Sequence, residues 1–383
     1  MRILIYTHEF PPFQGGIATS AKMIADILSS ENEVTVCCPN YGHKNLKESD
    51  NFSTERINFP GGKHFKKIPL IQYILGLLKI KKILKSFKPE KIFFLGEEAE
   101  LVGGLLNEKN IDQIVRIAGS GIESIIKNKA LSKTLYKFLL KRLYKNSKYI
   151  IAVSRNTKRL MEEEEEFFSK KKIKLIYNGI DSNFTQQDKD SNFLDYLRDS
   201  NQTLILLTVS RLLPRKGQDY VIKALGKIRN KNIKYVCVGE GSHLKKYKSL
   251  VKSLNLESSV SFPGGIERSQ VHKYYDSADV FILCNRTWNS KIEGLPNVAI
   301  ESMSRSTPVI GSKNSGTEEL IKPSKNGYLV DSEDMDDIAH TIELAYKNKK
   351  NLREMGNSAM LHIRENFSFE SMKANYLNLV KDE

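Results

Sequence analysis

Short apolar runs alternate with amphipathic helical stretches along the whole chain, and the alternation begins afresh near residue 180. Runs at residues 2–6, 33–38, 91–95, 113–117, 149–153 and 174–177 precede that point. Runs at 204–209, 234–238, 259–262, 280–283, 308–310 and 328–330 follow it. Most are continuous apolar blocks, the pattern of strands covered on both faces. Strands of this kind separated by helical patterns are parallel β-α units. The chain has 383 residues, and domains hold roughly 100–200 each, so two are expected. Asn178-Gly179-Ile180-Asp181 leads into a polar stretch from Thr185 to Asn201, which puts the junction around 170–200. The segment from Phe367 to Glu383 reads as one more amphipathic helix.

Several function classes drop out early. No run reaches the ~18–20 apolar residues that span a bilayer; the longest candidate, Ile68 to Leu78, is shorter and ends in lysines. The start meets His8-Glu9 after seven residues, too soon for a signal core. Cys37, Cys38, Cys237 and Cys284 form no C-x-x-C pair, so neither a disulfide framework nor a zinc site is expected, and a cytoplasmic location fits. The net charge is +15 and is unevenly placed. Residues 1–178 hold 31 basic and 19 acidic side chains, the remainder 29 and 26. A basic half implies an anionic partner: nucleic acid, a phospholipid surface or a phosphorylated substrate. No RNP-like aromatic motif, zinc spacing or helix-turn-helix pattern accompanies the charge, so nucleic acid is not the expected partner.

The residues that could carry chemistry sit where strands give way to helices. After the first strand comes Gln14-Gly15-Gly16, then a helix from about Ala18. A glycine pair there lets backbone N–H groups approach an anion, though an ordinary tight loop looks the same. After residues 204–209 comes Ser210-Arg211-Leu212-Leu213-Pro214-Arg215-Lys216-Gly217. Arg211 and Lys216 are then two cations at the carboxyl end of a parallel sheet, suited to a diphosphate or simply to a solvated loop. Gly239-Glu240-Gly241 is a weaker feature of the same kind. The sharpest is Glu293-Gly294-Leu295-Pro296-Asn297-Val298-Ala299-Ile300-Glu301. A helix starting near Asn297 puts Glu293 on a loop and Glu301 about one turn inside. Carboxylates there can accept bonds from vicinal hydroxyls, and free N–H groups at the helix start can face phosphate or sugar oxygens.

Taken in order, these pieces resemble the glycosyltransferase family 4 enzymes. The resemblance runs over nearly the whole chain and includes Phe262 with Gly264. It implies an α/β chain of the GT-B fold, with two Rossmann-like doubly wound domains facing a central cleft. The expected domains are residues 1–172 for the acceptor and 173–366 for the donor, with a helix at 367–383 crossing back to the first. It further implies a retaining, metal-independent and cofactor-free enzyme. Such an enzyme would move a hexose or N-acetylhexosamine from a UDP- or GDP-sugar to a glycan or lipid-linked acceptor, as in surface polysaccharide biosynthesis. Arg211 and Lys216 would hold the diphosphate and stabilise it as it leaves. Glu293 would orient the sugar and Glu301 would accept the ribose hydroxyls. The backbone of Leu295, Pro296, Asn297 and Val298 would meet sugar and phosphate oxygens, Ile266 would meet the base, and Gly16 would let the first domain approach the diphosphate. One position departs from the family: Ala118-Gly119 stands where a His-Gly pair is common. A nucleotide-sugar epimerase or a sugar phosphorylase of the same fold is the alternative.

Two stretches combine lysines with apolar residues. Lys129, Lys133, Lys137, Lys141 and Lys145 recur every fourth residue beside Leu131, Leu135, Phe138, Leu139 and Leu143. The other joins Ile68, Ile71, Ile74, Leu75 and Leu78 to Lys79, Lys81, Lys82 and Lys85. Basic amphipathic helices lie on anionic membrane, so a peripheral position on the inner face is expected. The run from Glu162 to Glu166 reads as a solvated face.

Overall fold

The computed structural model describes residues 1–13, 15–42, 49–59, 69–118, 132–180, 182–228, 232–288 and 294–382. These form two compact units, Met1–Asn178 together with the residues from Glu370 onward, and Gly179–Phe369.

The first unit is built on a parallel sheet. Its strands are β1 (Arg2–Thr7), β2 (Glu33–Pro39), β3 (Ser53–Ile57), β4 (Lys91–Leu95), β5 (Asp112–Ile117), β6 (Tyr149–Ala152) and β7 (Ile173–Leu175). They lie in the order β3-β2-β1-β4-β5-β6-β7. Helices α1 (Gly16–Ser29), α2 (Pro69–Phe87), α3 (Glu97–Leu106), α4 (Ser132–Asn146) and α5 (Arg155–Glu162) come between strands. The central strands are buried throughout because both faces are covered: Ile3, Leu4, Ile5, Ile92, Phe93 and Phe94 are fully enclosed. The strand β3 escaped the sequence reading. It is a polar edge strand, Ser-Thr-Glu-Arg-Ile, with one buried residue at its end, so no apolar block marks it. The expected break after residue 172 moves to Asn178 because β7 hydrogen-bonds to β6 and completes the first sheet.

The second unit repeats the plan. Its strands are β8 (Leu204–Val209), β9 (Ile233–Val238), β10 (Val260–Gly264), β11 (Val280–Leu283), β12 (Val309–Ser312) and β13 (Gly327–Val330). Their order is β10-β9-β8-β11-β12-β13, all parallel. Around them are α6 (Gln218–Lys227), α7 (Leu244–Ser253), α8 (Val271–Ser277), α9 (Asn297–Ser304), α10 (Met335–Lys347) and α11 (Leu352–Asn366). The last helix, α12 (Phe369–Lys381), leaves this unit almost at once. Ser368 still bridges Ile180 in the second unit. Tyr376, fully buried, lies 6.3 Å from the Phe93 ring of β4. The return to the first unit therefore begins at Glu370 rather than at 367.

The four cysteines are buried, and none is in a disulfide. Among the described residues no helix is long and apolar enough to cross a membrane.

Candidate functional site

In the second sheet the strand order reverses between β8 and β11. Loops leaving the carboxyl ends of such a pair part company and open a crevice, the usual ligand position in open parallel sheets. The loop after β8 carries Arg211, exposed, and Lys216, half-buried. Local packing sets its path. The Ser210 N–H donates to the Val238 carbonyl at 3.0 Å, and the Leu212 N–H to the Glu240 carbonyl at 2.9 Å. Gly239 adopts a φ of 132°, and a Cβ there would run into the Ser210 carbonyl. The Gly239-Glu240-Gly241 turn is thus a seat for the Arg211 loop, which allows close backbone approach. The Gln218 amide adds bonds to Ser210 Oγ (2.8 Å) and the Arg211 carbonyl (3.1 Å). Lys216 ends a short 3-10 turn, and Gly217 follows with φ 73° against the Cys284 carbonyl. Arg286, just past β11, binds the Pro214 carbonyl at 2.8 Å and Asp219 at 3.1 Å, and its own N–H donates to the Arg215 carbonyl at 2.9 Å. The loops on the two sides of the reversal are therefore tied together.

Glu293 lies outside the described residues. From Gly294 the chain runs straight into α9, which begins at Asn297 as the spacing predicts. Pro296 occupies the cap position and its own side chain makes no capping hydrogen bond. Leu295 and Pro296 are buried; Asn297 and Val298 are half-buried. Glu301 sits inside the helix and is enclosed, its side chain only 4% exposed. It is held from two directions. Arg268 Nη1 donates to Oε1 at 2.7 Å, and the Tyr275 hydroxyl donates to Oε2 at 3.0 Å. Burial, with the Glu301 carboxylate beside it, pushes the Tyr275 phenol well above its ordinary pKa, so it stays a donor. Ile266 is half-buried in the segment between β10 and α8 that also carries Arg268. Arg211, Lys216, Ile266 and the 295–301 segment thus all follow carboxyl ends of one sheet. Arg268, Tyr275, Gln218 and Arg286 were missed by the sequence reading. Arg268 had one usable signal: a charged residue two positions beyond Ile266 on a carboxyl-end loop.

In the first unit the corresponding reversal lies between β1 and β4. Gly16 opens α1 there, two residues earlier than the sequence suggests; it is exposed, and Gly15 before it offers no side-chain cap. His8 ends up enclosed, 1% exposed, with Nε2 2.6 Å from the Tyr6 hydroxyl and its ring packed on Phe59 and Tyr73. Ala118 is half-buried at the end of β5. Glu97 and Glu98 begin α3 and are half-buried, while Glu100 is fully enclosed and accepts a bond from the Tyr144 hydroxyl at 2.6 Å. Burial raises the Glu100 pKa to about 8. Among the described residues no group of three or more His, Cys, Asp or Glu is placed to hold a metal ion.

Residues 188–362 match the family described as Glycosyl transferases group 1, and residues 14–184 match Glycosyltransferase Family 4. An uncharacterised glycosyltransferase of Methanocaldococcus jannaschii is 26% identical over 399 residues, covering 100% of this chain and 98% of its own. The GDP-mannose-dependent alpha-(1-6)-phosphatidylinositol monomannoside mannosyltransferase of Mycolicibacterium smegmatis is 25% identical over 346 residues, 89% of this chain and 88% of its own. The fold is shared with sucrose-phosphate synthase of Thermosynechococcus elongatus (TM-score 0.83, 18% identity, 100% and 98% of the two chains). It is also shared with Anabaena HepE solved with UDP-glucose (TM-score 0.79, 18% identity, 100% of both chains). With two family models that together run from residue 14 to 362 and a fold built of two parallel-sheet units, the chain is a glycosyltransferase (EC 2.4) of the GT-B fold and of the family 4 type.

Proposed function

We propose that the enzyme moves a hexose or N-acetylhexosamine from a UDP- or GDP-sugar to a glycan or lipid-linked acceptor in surface polysaccharide synthesis, with retention at the anomeric carbon. The observation that carries this reading is the grouping of Arg211, Lys216 and Glu301 at the carboxyl end of one sheet, the first two on the loop after β8 and the third in the helix that follows β11. Two cations suit a diphosphate, and a carboxylate suits the vicinal hydroxyls of a ribose. Relatives point the same way: one is named for GDP-mannose, and a fold neighbour was solved with UDP-glucose.

In this reading Arg211 and Lys216 neutralise charge on the departing diphosphate, so neither a metal nor a cofactor is needed. The bond from the anomeric carbon to the phosphate oxygen breaks, and a bond to the acceptor oxygen forms on the same face. The acceptor proton passes to an oxygen of the leaving phosphate. Glu293 orients the sugar, Ile266 meets the base through its backbone, and the N–H groups of Leu295, Asn297 and Val298 meet phosphate and sugar oxygens. Pro296 has no N–H and shapes the turn. A thermal-shift screen of UDP- and GDP-sugars tests this directly, because a bound donor stabilises the folded state. Arg211→Ala is expected to lose activity; normal turnover in that variant would remove its diphosphate role.

The acceptor reading extends to the membrane. Ile71, Ile74 and Leu78 on α2 and Leu135 and Phe138 on α4 are exposed, the last three to 58%, 65% and 58%. Both helices pack against α3. Lys81, Lys82 and Lys85 on α2, with Lys141 and Lys145 on α4, are exposed too. Of the other lysines in the expected row, Lys137 is half-buried, Lys129 lies outside the described residues and the Lys133 side chain is not described. Apolar side chains flanked by lysines suit the surface of an anionic bilayer, with each lysine near the surface contributing about 1 kcal/mol. Stronger cosedimentation with anionic than with neutral vesicles is expected, and equal binding would end the proposal.

A further inference from the structure

The geometry points to Arg268 as a positioning residue for donor binding: it holds and aims the Glu301 carboxylate, so that its remaining lone pairs can meet the ribose. This rests on the ribose role proposed above for Glu301.

Enclosing a carboxylate such as Glu301 is costly unless an opposite charge and hydrogen bonds compensate it. Two groups face it. Tyr275, from α8, donates a hydrogen bond but carries no charge. Arg268, from the segment after β10, supplies both a bond and the compensating charge. The neighbouring acid on α8, Asp276, is turned to Arg305, whose Nε lies 2.7 Å from it, so it neither competes for Arg268 nor repels Glu301. An ionised carboxylate offers about four lone-pair positions. Arg268 and Tyr275 use one on each oxygen, and acceptor capacity remains for two hydroxyls.

The mounting of Arg268 fits this task. Its guanidinium lies 5.4 Å from the centre of the Phe184 ring, which holds the planar group from a second side. The side chain is 46% exposed, whereas its carboxylate partner is enclosed. The pair thus runs from the interior to the surface at the start of the segment leading into α8. Ile266, the proposed base contact, lies two residues earlier, so one short segment would touch the base and hold the group that grips the ribose.

The test uses the full chain and three variants, Arg268→Met, Arg268→Lys and Glu301→Gln, each checked for a folded circular dichroism spectrum. Dissociation constants for UDP and GDP are measured at neutral pH. Arg268→Met is expected to weaken binding about tenfold, the usual effect of losing a charge-assisted bond. Arg268→Lys is expected to restore most of the affinity by returning a charge beside Glu301. Glu301→Gln is expected to bind weakly. Wild-type affinity for Arg268→Met would overturn the inference, as would a loss that lysine does not rescue. Undiminished binding by Glu301→Gln would instead remove the ribose role itself, and failure of the wild type to bind either nucleotide would remove the donor reading.

Discussion

Single residues decide much of what this chain tolerates. Glu100 is enclosed beneath the start of α3 with Tyr144 as its partner. Burial raises its pKa from 4.5 to about 8, with the nearby Glu97 and Glu98 adding to the rise against the lowering effect of the Tyr144 bond. In the unfolded chain it ionises near 4.5, while the folded form holds its proton until about 8. The unfolded state therefore releases a proton first, and stability falls as pH rises through that window. Glu100→Gln removes the penalty and keeps an acceptor for Tyr144. It should be more stable than the parent by about 1–3 kcal/mol at pH 8.5, with the gap closing towards pH 4.5, as read from urea unfolding. Gly217 is constrained in the opposite sense. Its φ is 73°, and a Cβ would strike the Cys284 carbonyl. Gly217→Ala should cost about 2–4 kcal/mol and weaken nucleotide binding by displacing Lys216.

At the scale of elements, the entry to the second unit hangs on one buried ion pair. Arg305, at the end of α9, bonds Asp276 and the carbonyls of Phe184, Thr185, Gln187 and Asp188. Both side chains of the pair are nearly sealed from solvent. Removing one partner strands the other charge, typically at about 3–5 kcal/mol. Arg305→Ala should therefore lower the unfolding midpoint and open residues 184–188 to protease. None of this was legible in the sequence, because Arg305 looks like an ordinary basic residue ending a helix. Elements themselves were more readable. The bounds of β4, β8 and β11 match apolar blocks residue for residue, since strands covered on both faces must be apolar throughout. The polar edge strand β3 obeys no such demand and left no pattern. In the run 162–166, Glu162, Glu163, Glu165 and Glu166 form solvent-accessible ion pairs with Lys158, Arg159, Lys170 and Lys141.

For the whole molecule the C-terminal helix is the informative part. Residues from Glu370 onward belong with the first unit although they follow the second in sequence. Tyr376 packs on Phe93, Lys381 pairs with Glu31 at 2.9 Å, and Lys148 Nζ donates to the Asp382 carbonyl at 3.0 Å. A chain ending at residue 369 should expose the Phe93 face and destabilise the first unit. It should still bind UDP or GDP, since Arg211, Lys216, Ile266 and Glu301 lie in Gly179–Phe369. Two separate calorimetric transitions, the earlier one shifted down, would be the signature. By itself the sequence determined the repeated parallel β-α plan, the start of α9 at Asn297 and the carboxyl-end positions of Arg211, Lys216 and Glu301, because strand burial and helix starts are written in neighbouring residues. Only the tertiary structure decided that Glu301 is held by Arg268 and Tyr275, that His8 is enclosed and that β7 completes the first unit. Those facts depend on contacts between residues distant in the chain, where local periodicity carries no information.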